Sequence, residues 1–216
     1  MEPLGETEKE EFMKRWWREA IGHEPRPYQR KILVHDGPLI VTKARQVGIS
    51  TTMACQAVYE AALGRRKVLI ASNSEEAAQH ILNDYVPAFD EVLTGYGIVE
   101  RPVTDRRSLR QWPRGGEIRT FSSNPSTVRG YPANLVILDE FAHFTREAGA
   151  DRRLLEAIAP SVSQAGGRLI ILSTSLRAIP RWVSWRCFSS PCSSNCLSIV
   201  RKSGPFFSSQ RPAASM

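Results

Sequence analysis

The sequence predicts an α/β protein built on a mostly parallel sheet, with helices on both faces. Four short apolar runs alternate with segments of helical periodicity, and strands that are buried on both faces of a sheet have this continuous apolar character. A polar or small residue follows each run. Because ligands bind beyond the carboxyl ends of parallel strands, we expect one binding edge. The four strands are predicted near residues 38–42, 67–71, 135–139 and 168–173.

Helices and turns are predicted around these strands. Phe12, Trp16 and Ala20 recur at helical spacing within residues 7–21. Residues 74–93 form a long helical candidate, which Pro87 is expected to end or kink because proline lacks a backbone N–H. We also expect helices over 50–63 and 150–163, a short helix or turn over 29–35, a strand over 117–121, and irregular structure over 95–116.

The composition favours a globular chain. The 216 residues are 42% hydrophobic and 24% charged, which is typical of a folded soluble protein. No apolar stretch approaches the roughly 20 residues of a membrane span, so no membrane association is expected. The acidic N-terminus lacks the apolar region of a secretory signal. Four cysteines are too few for a disulfide framework in a chain of this length.

The net charge of +7 is concentrated near the C-terminus. Residues 178–216 contain four Arg, one Lys and no acidic residue, which leaves +2 for residues 1–177. The same segment is rich in Ser and Cys, and its aromatic residues follow no helical or strand period. We therefore predict a folded domain over 1–177 and a basic tail over 178–216 that is disordered or out of frame. Because the tail supplies most of the charge, the charge alone is weak evidence for nucleic-acid binding.

A phosphate-binding loop is predicted directly after the first strand, at the start of a helix. The standard motif at such a position is G-x-x-x-x-G-K-[ST]. Gly48 and Ser50 fit it, whereas Ile49 replaces the lysine and Lys43 replaces the first glycine. Either Lys43 or Arg45 would supply the cation for the β- and γ-phosphates, and Ser50 would hold Mg²⁺. The predicted nucleotide contacts of the loop are Gln46, Val47, Gly48, Ile49, Ser50 and Thr51.

An acidic pair follows the third strand. Four apolar residues, 135–138, precede Asp139 and Glu140. A buried strand in this position would deliver Asp139 to Mg²⁺, while Glu140 would polarise the attacking water. Adjacent residues of an extended strand point to opposite sides, so the backbone must turn here if both carboxylates serve one site.

Three further segments contain residues that would contact the nucleotide or assist its hydrolysis. A hydroxyl of Ser173 or Thr174 would contact the γ-phosphate or the water, although a plain strand end has the same sequence. Tyr28 would stack on adenine and Gln29 would bond its edge, unless this segment only anchors the first helix. Arg129, next to a glycine on a polar loop, suits a finger that completes a neighbour's site, but a solvated arginine is equally compatible.

Together these motifs resemble the ATPase domain of large terminase subunits, the DNA-packaging motors of tailed bacteriophages. The resemblance covers residues 20–177 and implies a RecA-like P-loop NTPase fold of the ASCE type. It favours Lys43 over Arg45 as the main phosphate contact. Ser175 replaces the proline of the family's Ser-Thr-Pro coupling motif. The matching segments are residues 27–30, 43–50, 129–130, 135–142 and 173–175.

The resemblance also implies cofactors and partners. It implies ATP and Mg²⁺, double-stranded DNA as the transported substrate, and a homo-oligomeric ring that works with a portal protein and a small terminase subunit in the cytoplasm of a bacterial host. Large terminases normally carry a second, nuclease domain with acidic metal ligands. The last acidic residue here is Glu156, so nuclease activity is not expected from this chain.

Two alternatives remain open from the sequence. The first is a RecA-like lobe of a DNA helicase or translocase, since Asp139 and Glu140 lie in a segment similar to a helicase acidic box. A helicase requires a second lobe, and it would carry a lysine directly after Gly48. The second is a truncated remnant that binds nucleotide without motor activity.

Overall fold

The computed structural model describes residues 5–44, 46–122, 128, 130–144 and 150–174. Within these ranges, seven strands form one sheet in the order β1-β7-β6-β2-β5-β4-β3. The strands are β1 (Leu39–Thr42), β2 (Lys67–Ser72), β3 (Thr104–Arg106), β4 (Leu109–Gln111), β5 (Glu117–Ser122), β6 (Leu135–Leu138) and β7 (Arg168–Ser173).

Helices fill the connections between the strands. The α-helices are α1 (Glu6–Ile21), α2 (Pro27–Val34), α3 (Ile49–Val58), α4 (Glu75–His80), α5 (Val86–Gly95) and α6 (Ala150–Gln164). π-Helical turns continue α3 over Tyr59–Leu63 and join α4 to α5 over Ile81–Tyr85, and a 3₁₀ turn spans Phe141–His143. No helix in the described part of the chain has the length and apolar character needed to cross a membrane.

The five strands β1, β7, β6, β2 and β5 are parallel, which confirms the predicted sheet. The loop strand β1 and the acidic strand β6 are not neighbours, because β7 is inserted between them. Among the described strands, the antiparallel pairs are β4 with β5 and β3 with β4. The carboxyl ends of all five parallel strands therefore lie on one edge.

Each face of the sheet is covered by its own apolar core. Alternate residues of β2 show the division: Val68 and Ile70 belong to one core, and Leu69 and Ala71 belong to the other. Side chains from α1, α2, α3 and α5 complete the first core, while α6 and the 3₁₀ turn complete the second. Such alternation is what the period of two along a strand requires. The expectation of helices on both faces is confirmed.

One local expectation is wrong. Residues 95–116, predicted to be irregular, contain the β3–β4 hairpin. This hairpin is held by polar pairs rather than by apolar alternation: the Arg110 guanidinium donates to both carboxylate oxygens of Asp105, at 3.2 and 2.7 Å. The Trp112 indole N–H also donates to Asp90 of α5 at 2.9 Å.

The helical segment predicted over 74–93 is present, and it is interrupted just before Pro87, the residue expected to end or kink it. A π-helical turn separates α4 from α5, and Pro87 lies in the first turn of α5. A first-turn position suits proline, because its missing N–H is not needed there. The Ser74 hydroxyl accepts from the Ala77 N–H and caps the start of α4.

Candidate functional site

The candidate site lies beyond the carboxyl ends of β1, β7, β6 and β2. Backbone hydrogen bonds continue past the strand ends and hold these termini side by side. The Lys43 N–H donates to the Ser173 carbonyl at 2.9 Å, and the Asp139 N–H donates to the Ala71 carbonyl at 2.8 Å. The register of the sheet thus brings Lys43 of the loop and Asp139 of the acidic pair to the same place, although 96 residues separate them.

A lysine and two carboxylates form the centre of the site. The Lys43 Nζ lies 2.6 Å from Asp139 Oδ1 and 3.2 Å from Glu140 Oε1. The side chains of Lys43 and Asp139 are each only 8% exposed. The Ser50 hydroxyl donates to the other carboxylate oxygen of Asp139 at 3.4 Å. One ammonium faces two carboxylates, so the cluster carries a formal charge of −1.

The backbone at Glu140 explains how two adjacent carboxylates reach one ammonium. Strand β6 ends at Leu138, and Glu140 adopts a left-handed conformation with φ 54° and ψ 40°. This conformation is unusual for a residue other than glycine and is concentrated at functional sites. The Glu140 N–H also donates to Asp139 Oδ1 at 2.9 Å. The backbone turn that the sequence required at this point is therefore present.

One oxygen of Glu140 remains available. Glu140 Oε2 is buried and has no hydrogen-bond partner among the described residues. The His143 Nε2 lies 3.8 Å from it. Buried carboxylate oxygens are usually hydrogen-bonded, so this one is suited to accept from a ligand or a water.

The loop between β1 and α3 makes two left-handed turns. Gln46 has φ 57° and Gly48 has φ 72°. Between and after them, the side chains of Val47 and Ile49 are buried in the first core. Ile49 occupies the usual lysine position, and its burial means that this position supplies no cation. Val47 and Ile49 can therefore contact a ligand only through their backbone atoms. Thr51 is half-buried on α3.

Tyr28 and Gln29 of α2 both contact the loop. The Tyr28 hydroxyl donates to the Val47 carbonyl at 2.6 Å. The Gln29 amide donates to the Gly48 carbonyl at 3.1 Å and to the Thr52 hydroxyl at 3.3 Å, and its Oε1 accepts from the Arg26 N–H at 2.8 Å. Both hydrogen-bonding ends of Gln29 are therefore engaged within the chain. The predicted contacts of these two residues with adenine stay predictions.

The structure describes some of the remaining predicted site residues but not others. Arg45 and Arg129 lie outside the described residues, as do Ser175 and the predicted tail over 178–216. Ser173 is fully buried at the end of β7, and Thr174 follows it in a bend. Their position between Lys43 and the acidic pair agrees with the predicted role, which stays a prediction.

Two further hydroxyls lie in this part of the structure, and no sequence motif assigns a role to the first, that of Thr52. The Thr52 Oγ1 donates to the Gly48 carbonyl at 2.9 Å. Its spacing of four residues from Gly48, one helical turn, is the signal that would have pointed to it. The Thr42 Oγ1, at the end of β1, is buried and makes no hydrogen bond within the described ranges. Only the packed structure reveals that burial.

Solved structures with this fold include phage large terminases. Two structures of the large terminase ATPase domain of Thermus phage P74-26 each have a TM-score of 0.58 to this chain, at 24% and 25% identity. In both cases the match covers 73% of this chain and 68% of theirs. This chain shares the fold of the large terminase ATPase domain. The resemblance stated from its motifs is confirmed at the level of structure.

A complete large terminase gives a similar match. The crystal structure of the bacteriophage HK97 large terminase has a TM-score of 0.56 at 16% identity, covering 77% of this chain but 38% of that protein. At that identity the likeness shows the fold alone. No protein-family model and no curated protein matches the sequence.

Proposed function

We propose that this chain is the ATP-hydrolysing motor domain of a large terminase, which drives double-stranded DNA into procapsids. The observation that carries the proposal is the convergence of Lys43, Ser50, Asp139 and Glu140 at the carboxyl edge of the sheet. The shared fold with large terminase ATPase domains supports it. We assign the motor to residues 1–177.

The residues present fit a magnesium ion. Mg²⁺ prefers oxygen ligands, and Ser50 Oγ and Asp139 Oδ2 lie 3.4 Å apart at the start of α3. These two residues would hold the ion. When bound, Mg²⁺ neutralises charge on the β- and γ-phosphates.

The other predicted site residues have separate roles in hydrolysis. Glu140, whose buried Oε2 has no hydrogen-bond partner in the described part of the chain, accepts a proton from the attacking water and orients it toward the γ-phosphate. Lys43 turns from the carboxylates to the phosphates when the nucleotide enters, with Arg45 as a second cation. Arg129 acts on the site of a neighbouring copy in a homo-oligomeric ring. Ser173 and Thr174 report the state of the γ-phosphate to the rest of the domain.

Partners follow from this assignment. The ring would act in the cytoplasm of a bacterial host, together with a portal protein and a small terminase subunit. DNA would stimulate ATP hydrolysis, because a motor couples hydrolysis to the movement of its DNA substrate.

The test is single-turnover ATP hydrolysis by the full chain with and without double-stranded DNA. We expect hydrolysis that double-stranded DNA accelerates. ATP binding without hydrolysis under either condition would contradict the motor and favour a nucleotide-binding remnant. Stimulation by single-stranded DNA alone would favour the helicase alternative.

A further inference from the structure

Tyr131, two residues after Arg129, is hydrogen-bonded to the sheet. Its hydroxyl donates to Glu117 Oε1 at 2.5 Å, a length typical of a hydrogen bond from O–H to a carboxylate. Glu117 is the first residue of β5 and is only 6% exposed. Burial, together with this hydrogen bond, raises the pKa of Tyr131. The phenol therefore keeps its proton and remains a donor at neutral pH.

The ring of Tyr131 is also held by side chains of β2 and β5. Arg119 Cζ lies 4.9 Å from the ring centroid and Lys67 Nζ lies 5.8 Å from it, both within the range of a cation–π contact. The ring of Phe121 packs against it, with 5.6 Å between the two centroids. We call these four residues and Glu117 the tyrosine anchor.

The residue before Arg129 is attached to the domain as well. Val128 is 1% exposed and belongs to the second core. The Tyr131 N–H donates to the Val128 carbonyl at 3.3 Å, and Gly130 has a left-handed φ of 77°. Arg129 itself lies outside the described residues. The chain on one side of it is thus held by the core, and the chain on the other side is held by the tyrosine anchor.

The hydrogen bond of the anchor is remote from the chain's own candidate site. Glu117 begins β5, whereas the site lies beyond the carboxyl ends of the parallel strands. The six residues of β5 span roughly 17–20 Å between the two edges of the sheet. In addition, β2 separates β5 from the acidic strand β6. The Tyr131 hydroxyl is therefore too far from Lys43 and Glu140 to act on them directly.

We infer that Tyr131 is a positioning residue for Arg129, and that its hydrogen bond to Glu117 holds the arginine where it can reach a neighbouring copy. The inference rests on the proposed function, in which Arg129 acts on a neighbour's site. A cation stabilises the charge of a transition state best when it is already in place before the reaction. Loss of the anchor should therefore slow hydrolysis at the neighbour's site and leave the chain's own site intact.

The test separates the arginine from the active site by mixing two full-length variants. The acceptor is Arg129→Ala, which keeps its active site but lacks the arginine. The donor is Glu140→Gln, which keeps the arginine but lacks the proposed proton acceptor. ATP hydrolysis is measured for each variant alone and for the mixture, over a range of protein concentrations. Hydrolysis beyond the sum of the separate variants then takes place at acceptor sites and depends on the donor's Arg129.

We expect the donor to raise hydrolysis by the acceptor. A donor that also carries Tyr131→Phe should raise it at least about tenfold less, the effect of losing one hydrogen bond to a charged group. Tyr85→Phe in the donor is the matched control and should not change the gain. Tyr85 is also half-buried, but it lies on the π-helical turn between α4 and α5 and contacts His80.

A second measurement follows the segment itself and does not require assembly. Trypsin cleaves after arginine, and cleavage of a folded chain requires local opening. Cleavage between residues 129 and 130 should be about tenfold faster in Tyr131→Phe, while cleavage at other sites and thermal unfolding stay as in the wild type. If Tyr131→Phe does not fold, Glu117→Gln carries both tests, because it removes the charge of the acceptor and keeps its size.

Two results would overturn the inference while leaving the proposed function intact. In the first, donors with and without Tyr131→Phe raise hydrolysis equally. In the second, the substitution leaves cleavage between residues 129 and 130 unchanged. A Glu140→Gln donor that gives no gain at any concentration would instead overturn the proposed action of Arg129 on a neighbour, and this inference with it.

Discussion

Lys43 lies where a divalent cation would be expected to bind. Its ammonium contacts one oxygen each of Asp139 and Glu140, at 2.6 and 3.2 Å, in a largely buried setting. Asp139 and Ser50 are also the residues that we assign to Mg²⁺. The positive charge of Lys43, held on one oxygen of Asp139, repels a metal ion at the other oxygen. Lys43 should therefore exclude metal from the site until phosphates draw the ammonium away.

This exclusion predicts a gain of metal binding when the lysine is lost. Without nucleotide, Lys43→Met should bind Mn²⁺, a spectroscopically visible substitute for Mg²⁺, at least about tenfold more tightly than the wild type. Removing a positive charge within 4 Å is worth several kcal/mol at a partly buried site. The measurement is electron paramagnetic resonance of free Mn²⁺ during titration.

Two variants serve as controls for that titration. Lys31→Met removes an exposed lysine of α2 outside the site and should bind Mn²⁺ as the wild type does. Adding Asp139→Asn to Lys43→Met should abolish the gain. Equal Mn²⁺ affinity in Lys43→Met and the wild type would show that the lysine does not compete with the metal.

At the scale of elements, the start of β5 fits closely against the π-helical turn that follows α3. A Cβ built on Gly116 would lie 1.8 Å from the Ala61 carbonyl oxygen and 2.6 Å from its carbon. Both atoms belong to the backbone, so no side-chain movement relieves the contact. The glycine is therefore required by packing rather than by a left-handed φ.

Gly116→Ala should accordingly destabilise the fold. We expect the free energy of unfolding to fall by about 1–3 kcal/mol or more, since overpacking displaces β5 or the turn. Gly95→Ala is the control, because Gly95 lies at the end of α5 with nothing within 4 Å of its added Cβ. Chemical denaturation should show that Gly95→Ala is neutral or stabilising by up to about 1 kcal/mol. Equal stabilities for the two variants would argue against this packing.

Some secondary-structure elements can be predicted from the sequence and others cannot, for a physical reason. The parallel strands are predictable because burial on both faces makes each one a continuous apolar run, as in residues 135–138. The β3–β4 hairpin follows no such pattern, since the cross-strand pair of Arg110 and Asp105 and the contact of Trp112 with Asp90 hold it through polar groups. The contact with Asp90 of α5 depends on tertiary packing.

The same distinction applies to the site. Lys43, Ser50, Asp139 and Glu140 are predictable because loop and strand motifs place them at strand ends, and the sheet order brings those ends together. The contacts of Gln29 with Gly48 and Thr52 depend on how α2 packs against α3. A local sequence pattern identifies Gln29 as noteworthy but does not distinguish a contact with a base from a contact with the loop.

At the scale of the whole molecule, the inserted strand β7 couples the parts of the site. It lies between β1 and β6 and pairs with both, so Ser173 is held between the loop and the acidic pair. A change at the phosphates can thus reach the second core, through the ends of three adjacent strands. This arrangement agrees with the proposed motor, in which Glu140 would carry the chemical step.

The most direct test of this account is single-turnover ATP hydrolysis by Glu140→Gln. The amide keeps the size of the side chain but cannot accept the proton of the attacking water. We predict that hydrolysis falls at least about a hundredfold while ATP binding stays within a few-fold of the wild type. Glu91→Gln, an exposed position on α5, should hydrolyse ATP at the wild-type rate. Wild-type hydrolysis by Glu140→Gln would contradict the proposed active site.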